Sequence, residues 1–188
     1  MMNSWSEKER FMTSPEQNLD LNVLSKITGT QEFLTRVPIF SGAPAGVAKM
    51  FAYLAKREEY AKGEEIISRG ARGDRLFLIV SGKVDIFQTY KERRFHMQLL
   101  HAESVNYFGE LALLAEFDWF FSARAWTDVV LLTISREAFT KVMERFPDSY
   151  KVMVQKIIKL HINRFVDQGS SLLGNISPEA WREDPPEG

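Results

Sequence analysis

Phe108-Gly109-Glu110-Leu111-Ala112-Leu113-Leu114 opens a short helix with a glycine and a carboxylate, directly after a strand-rich segment. Glycine has no Cβ, so a ligand can approach its backbone closely. At a helix start the free N–H groups of Leu111 and Ala112 suit a phosphate, and Glu110 is an acceptor for a sugar hydroxyl. Many helices begin with Gly-Glu merely as a cap and a favourable dipole partner, so the pair gains its weight from what surrounds it.

Upstream, residues 66–84 read as strand, glycine turn, buried strand, glycine turn, strand, with Gly70, Gly73 and Gly82 as punctuation. Downstream, two further strands are expected near 122–126 and 129–135. Taken together these segments resemble the cyclic nucleotide-binding domain family, over residues 30–168. The resemblance implies an α+β, mainly β fold: an antiparallel β-roll or jelly-roll of about eight strands. Helices precede the roll, a short cassette helix interrupts it, and a long helix follows. The implied division is an extension over 1–29 with a short helix, the roll over 56–135, helices over 136–168 and a mobile tail over 169–188.

Composition agrees with one domain and short appendages. The chain has 188 residues, 45% apolar and 26% charged, with a formal net charge of −1 and no cysteine. Disulfides, zinc–thiolate sites, iron–sulfur clusters and cysteine nucleophiles are thereby excluded. No apolar run is long enough to span a membrane and Met1 to Arg10 is polar with both charge signs, which predicts a cytoplasmic protein. Near-neutral charge gives no footprint for nucleic acid.

Ser14-Pro15-Glu16-Gln17 places a cap, an N1 proline and a capping-box glutamine before a helix that Gly29 should stop, and Gln31 to Val37 reads as a further helical turn ended by Pro38. A helix over Pro44 to Ala55 carries Val47, Met50, Phe51 and Leu54 on one face. Arg93, Phe95, Met97 and Leu99 alternate with Arg94, His96 and Gln98, which predicts a strand with one mostly apolar face and one polar face. Ser135 should cap a helix through Arg145, and Pro147 should begin the longest helix, ending near Gln168. Tyr150, Val154, Ile157, His161 and Phe165 form a stripe on it, widened by Met153, Ile158, Leu160 and Ile162. That surplus predicts a second partner, most simply the same helix (147–168) of another copy, or else cover by the amino-terminal helices.

In the family, as the resemblance implies, the cassette starts at the Gly-Glu pair and closes with an arginine that neutralises the cyclic phosphate. Gly109, Glu110, Leu111 and Ala112 match its opening, with Phe108 packing beneath them. Counting forward, the arginine position falls on Trp119, followed by Phe120 and Phe121. Indole offers one N–H and no charge where a guanidinium offers a planar fork, so phosphate affinity should drop. Val105 also stands where the family usually has glycine. Arg124 is five residues beyond Trp119, and in a regular strand that odd spacing points it to the opposite face; a bulge in 117–119 would reverse this. Phe117, Trp119, Phe120 and Phe121 either fill the nucleotide's space as packing or line a pocket for an uncharged or aromatic ligand, with Trp119 stacking on it.

The histidines His96, His101 and His161 lie at no metal-ligand spacing, and no nucleophile elbow, P-loop or dinucleotide fingerprint is present. A non-enzyme without a cofactor is expected. Two functions remain open. One is a regulatory module sensing cAMP or cGMP through Phe108, Gly109, Glu110, Leu111, Ala112, Trp119 and Phe120, acting on an effector protein or on its own oligomer, since a short acidic tail follows the long helix. The other is a degenerate relative that binds no nucleotide and serves as an interaction or scaffold module.

Overall fold

The computed structural model describes residues 15–91, 93–103 and 107–174. Ser14, Val105 and the segment 175–188 lie outside them. Two helices come first, α1 (Pro15–Arg36) and α2 (Ala45–Leu54). Strands β1 (Lys56–Tyr60), β2 (Glu65–Ile67), β3 (Arg72–Gly73), β4 (Arg75–Ser81), β5 (Lys83–Tyr90), β6 (Arg93–His101) and β7 (Tyr107–Phe108) follow. A single 3₁₀ turn, Glu110–Leu113, leads into β8 (Phe117–Asp118), β9 (Ser122–Ala125) and β10 (Val129–Ser135), and then α3 (Arg136–Arg145) and α4 (Pro147–Gly174).

One sheet has the order β1-β10-β4-β7, the second β2-β9-β5-β6, and β3 pairs with β8; the pairings are antiparallel. The near-continuous apolar runs of β4 and β10 have a physical cause: their sheet is covered on both faces. Leu76 and Leu78 of β4, with Leu132 and Ile134 of β10, pack into a helix-side core with Leu34, Phe51, Phe139, Met153 and Ile157. Their neighbours Phe77, Ile79, Val129 and Leu131 turn into the roll, against Val84, Ile86, Ala123 and Ala125 of the second sheet.

The expected α+β roll is present, built from ten strands among the described residues. Four features differ from expectation. Gly29 does not stop α1, which runs to Arg36 and places the expected 29/30 boundary inside a helix. A glycine inside a helix costs only about 1 kcal/mol, and burying Leu34 with Ile27 packed against the same core offsets it. Likewise α4 continues through Gly169 to Gly174 rather than ending near Gln168. The cassette helix is one 3₁₀ turn of four residues. Finally, the apolar face read into β6 does not exist as one face. A register shift between Ile86 and Phe87 skips Met97, so Leu99 stands opposite Asp85 and Phe95 opposite Gln88. Those partners are three apart on β5 and so lie on opposite faces.

Ser135 caps α3 as its position implied, its hydroxyl accepting the Ala138 N–H at 3.1 Å. Helix α4 packs inward through Met153 and Ile157, while Tyr150, Ile158, Ile162 and Phe165 of the expected stripe are exposed.

Candidate functional site

Strand β7 is only two residues long, yet it sets the geometry of the cassette. Phe108 pairs with Phe77 and Tyr107 with Leu78, and the Phe77 and Phe108 rings stack at 4.8 Å. The chain then turns through Gly109 with φ of +82°, a left-handed conformation that L side chains rarely adopt. A Cβ on Gly109 would come within 2.8 Å of the Trp119 ring and 2.9 Å of the Arg75 carbonyl oxygen. Close approach to Gly109 is therefore real, but the approaching group is the protein's own indole.

Trp119 is 5% exposed. Its ring meets Phe117 at 4.9 Å, Phe121 at 5.1 Å and Phe77 at 6.4 Å between centroids. The backbone fixes it as firmly: the Trp119 N–H donates to the Ala71 carbonyl at 2.8 Å, and its carbonyl accepts the Gly70 N–H at 2.7 Å. Trp119 thus packs in the roll-side core close to Gly109. Ala112 is buried in the same cluster, and its N–H is occupied by the Gly109 carbonyl at 3.0 Å. This corrects the expectation of a free amide there, because a 3₁₀ turn closes its bonds three residues back. Leu111 packs toward the helix-side core. Phe120 points away, 57% exposed, and its carbonyl accepts Gln88 Nε2 at 2.8 Å.

Glu110 is 3% exposed and is held from α4. Arg164 Nη1 donates to its two carboxylate oxygens at 3.0 and 3.2 Å, while Arg164 Nη2 donates to the Tyr107 carbonyl at 3.2 Å. The guanidinium lies 4.2 Å from the centroid of the Tyr107 ring, and His161 Nδ1 is 3.5 Å from Glu110 Oε1. Burial pushes the Tyr107 phenol above its ordinary range, with Arg164 pulling the other way. Asp85, Glu110 and Thr133 are the buried polar residues among those described, so no cation is buried beside Trp119. No group of three or more His, Asp or Glu residues there could hold a metal ion, and no described helix is long and apolar enough to cross a membrane.

The far side of the cassette is braced by Arg136, the first residue of α3. It donates to the carbonyls of Gly73 at 2.6 Å, Ala112 at 2.7 Å and Ala115 at 2.7 Å. Arg124 lies on the outer face of its sheet, as the odd spacing implied, and donates to Asp85 at 3.0 Å. The sequence thus located Phe108, Gly109, Ala112 and Trp119 in one cluster with Glu110 at its rim, but missed Tyr107, Arg136 and Arg164. His161 and Arg164 are three apart on one helix face, the one local hint available for that contact.

Residues 57–146 match the family model described as the cyclic nucleotide-binding domain. A cyclic AMP receptor protein of Thermus thermophilus is 36% identical over 58% of this chain and 50% of its own length. A cAMP-dependent protein kinase regulatory subunit of Mycosarcoma maydis is 32% identical over 60% of this chain and 22% of its own length. The chain therefore spans half or less of the curated relatives it matches. Among solved structures, the catabolite activator protein of Thermus thermophilus superposes with a TM-score of 0.60 at 28% identity, covering 73% of this chain and 63% of that one.

Proposed function

Since the chain belongs to the cyclic nucleotide-binding domain family, we propose that it is a regulatory module in which helix α4 and a cyclic nucleotide, cAMP or cGMP, share one acceptor, Glu110. The observation carrying this reading is the Arg164–Glu110 contact, which joins the cassette to α4. A ribose hydroxyl arriving at Glu110 competes with Arg164 for carboxylate lone pairs, so occupancy of the site alters what holds α4 down. Binding is weak, because the phosphate meets no buried cation and Trp119 occupies the space beneath Gly109.

The same proposal covers the output. Ile158, Ile162, Phe165 and Val166 leave an exposed apolar stripe along α4 at helical spacing, which suits a second copy in an isologous dimer or a separate effector protein. Catalysis is no part of this reading, and the cytoplasm is the compartment in which it places the protein.

Trp119 itself favours a second reading, in which the hollow is permanently filled and the domain is an interaction module that binds no nucleotide. Calorimetric titration of the whole chain with cAMP and with cGMP separates the two. Weak binding that disappears in Glu110→Ala supports the sensor, and a Kd below about 1 μM contradicts the role given to Trp119. No binding in the wild type and none after Trp119→Ala supports the filled module.

A further inference from the structure

Strand β6 ends its sheet. Over residues 93–101 it bonds to β5, and no other described strand pairs with it, so its outer row of N–H and C=O groups is open to an added strand. Edge strands in soluble proteins are usually short, covered or guarded by charge. This one is nine residues long and displays Phe95, Met97 and Leu99 at 52%, 50% and 40% exposure, with Trp126 beside it at 45%. Leu99 and Phe95 lie on opposite faces, so the strand offers apolar side chains on both sides of its open edge.

The hairpin is also fixed in place. Asp85 is 2% exposed although it lies on the outer face of the roll, and it accepts Arg124 Nε at 3.0 Å while His96 Nδ1 lies 2.9 Å from its other oxygen. The Arg94 guanidinium sits 4.3 Å from the Phe87 ring centroid, and the His96 and Trp126 rings meet edge-on at 6.3 Å. These contacts tie β6 to β5 and β9 and present its free edge as a rigid template, which lowers the ordering cost of adding a strand.

Charge selects the occupant. In a chain of net charge −1, the hairpin 83–101 carries Lys83, Lys91, Arg93 and Arg94 against Asp85 and Glu92, and Asp85 is already bonded to Arg124 and His96. We propose that the free edge of β6 receives an extended acidic and apolar segment of a partner protein as an additional strand. Backbone bonds give the affinity, while carboxylates facing Arg93 and Arg94 give the selectivity. This surface is separate from the cassette and does not rest on nucleotide binding.

The test uses the whole chain and a short labelled peptide alternating valine with glutamate, read by fluorescence anisotropy and by amide chemical shifts. Binding with shifts confined to β6 and its hairpin is expected, together with an affinity loss of about tenfold in Arg93→Glu/Arg94→Glu. Arg93→Glu alone serves as the second variant, because the Arg93 side chain makes no hydrogen bond or ion pair among the described residues; it should weaken binding without altering the thermal unfolding midpoint. Equal binding of a lysine-for-glutamate peptide, tighter binding of a single-stranded oligonucleotide, shifts centred elsewhere, or dimerisation abolished by Met97→Lys would each overturn the proposal.

Discussion

Arg164 of α4 grips both oxygens of the Glu110 carboxylate, 54 residues away in the chain, and with its second terminal nitrogen takes the carbonyl of Tyr107 immediately before the cassette. Helix and cassette are thereby joined through one side chain. Deleting one member of a buried ion pair leaves an uncompensated charge and costs about 3–5 kcal/mol. Arg164 keeps 28% of its side chain in solvent, which places Arg164→Ala nearer 2 kcal/mol. Urea unfolding of Arg164→Ala, Glu110→Gln and the double variant should return a coupling energy of at least about 1 kcal/mol; additive effects would show the contact to be idle.

Trp119 should behave as a core residue. Trp119→Ala removes a buried ring and costs about 3–5 kcal/mol in denaturant unfolding. Trp119→Arg costs as much or more in isolation, since it buries an unpaired cation. It should regain stability when cAMP supplies the missing anion, through the usual linkage of binding to unfolding. Thermal melts with and without the nucleotide read this directly, and a melting point indifferent to cAMP would place the phosphate elsewhere.

Gly109→Ala tests the turn itself. The left-handed φ and the contacts awaiting a Cβ predict a loss of about 1–3 kcal/mol, measured by urea unfolding. A near-neutral result would mean that the Trp119 ring yields readily.

Tyr60 gives a pH signature at the opposite edge of the same sheet. Burial first, and then its hydrogen bond to Glu58 at 2.7 Å, raise the phenol from 10.0 to about 12. The folded state thus holds this proton more tightly than the unfolded chain does. Its stabilising effect is complete below pH 10.0 and disappears as pH rises to about 12. Phenolate absorbance during an alkaline titration should show a component near pH 12 that Tyr60→Phe removes.

Much of this architecture was legible because local chemistry and tertiary structure agree. Ser135 caps, Pro147 starts α4, and Gly70 and Gly82 punctuate the strands, whereas Gly73, read as a turn, lies inside β3. Reading failed where a tertiary contact overrode a local signal. Gly29 and Gly169 interrupt nothing, because the helices continue through them. The alternation in β6 looked like a half-buried strand, but the bulge at Met97 divides it between two faces. Of the cassette, Gly109 and Trp119 were both singled out in the sequence, and the fold brings that indole close to Gly109. Arg164 was missed, since its only local hint is the helix face it shares with His161, and the carboxylate both meet is brought in from a distant turn.

Helix α4 rests on Ile157, which is fully buried in the helix-side core, and this makes the residue a fulcrum. At 1.5 Å per residue, Arg164 lies about 10 Å along the axis from that point and Gly174 about 25 Å. The arm beyond Glu110 is therefore longer than the arm up to it. A retreat of about 2 Å by the guanidinium, within the scale of helix shifts that serve as switches, becomes about 5 Å at the far end. The carboxy-terminal end of α4 thus receives the displacement amplified.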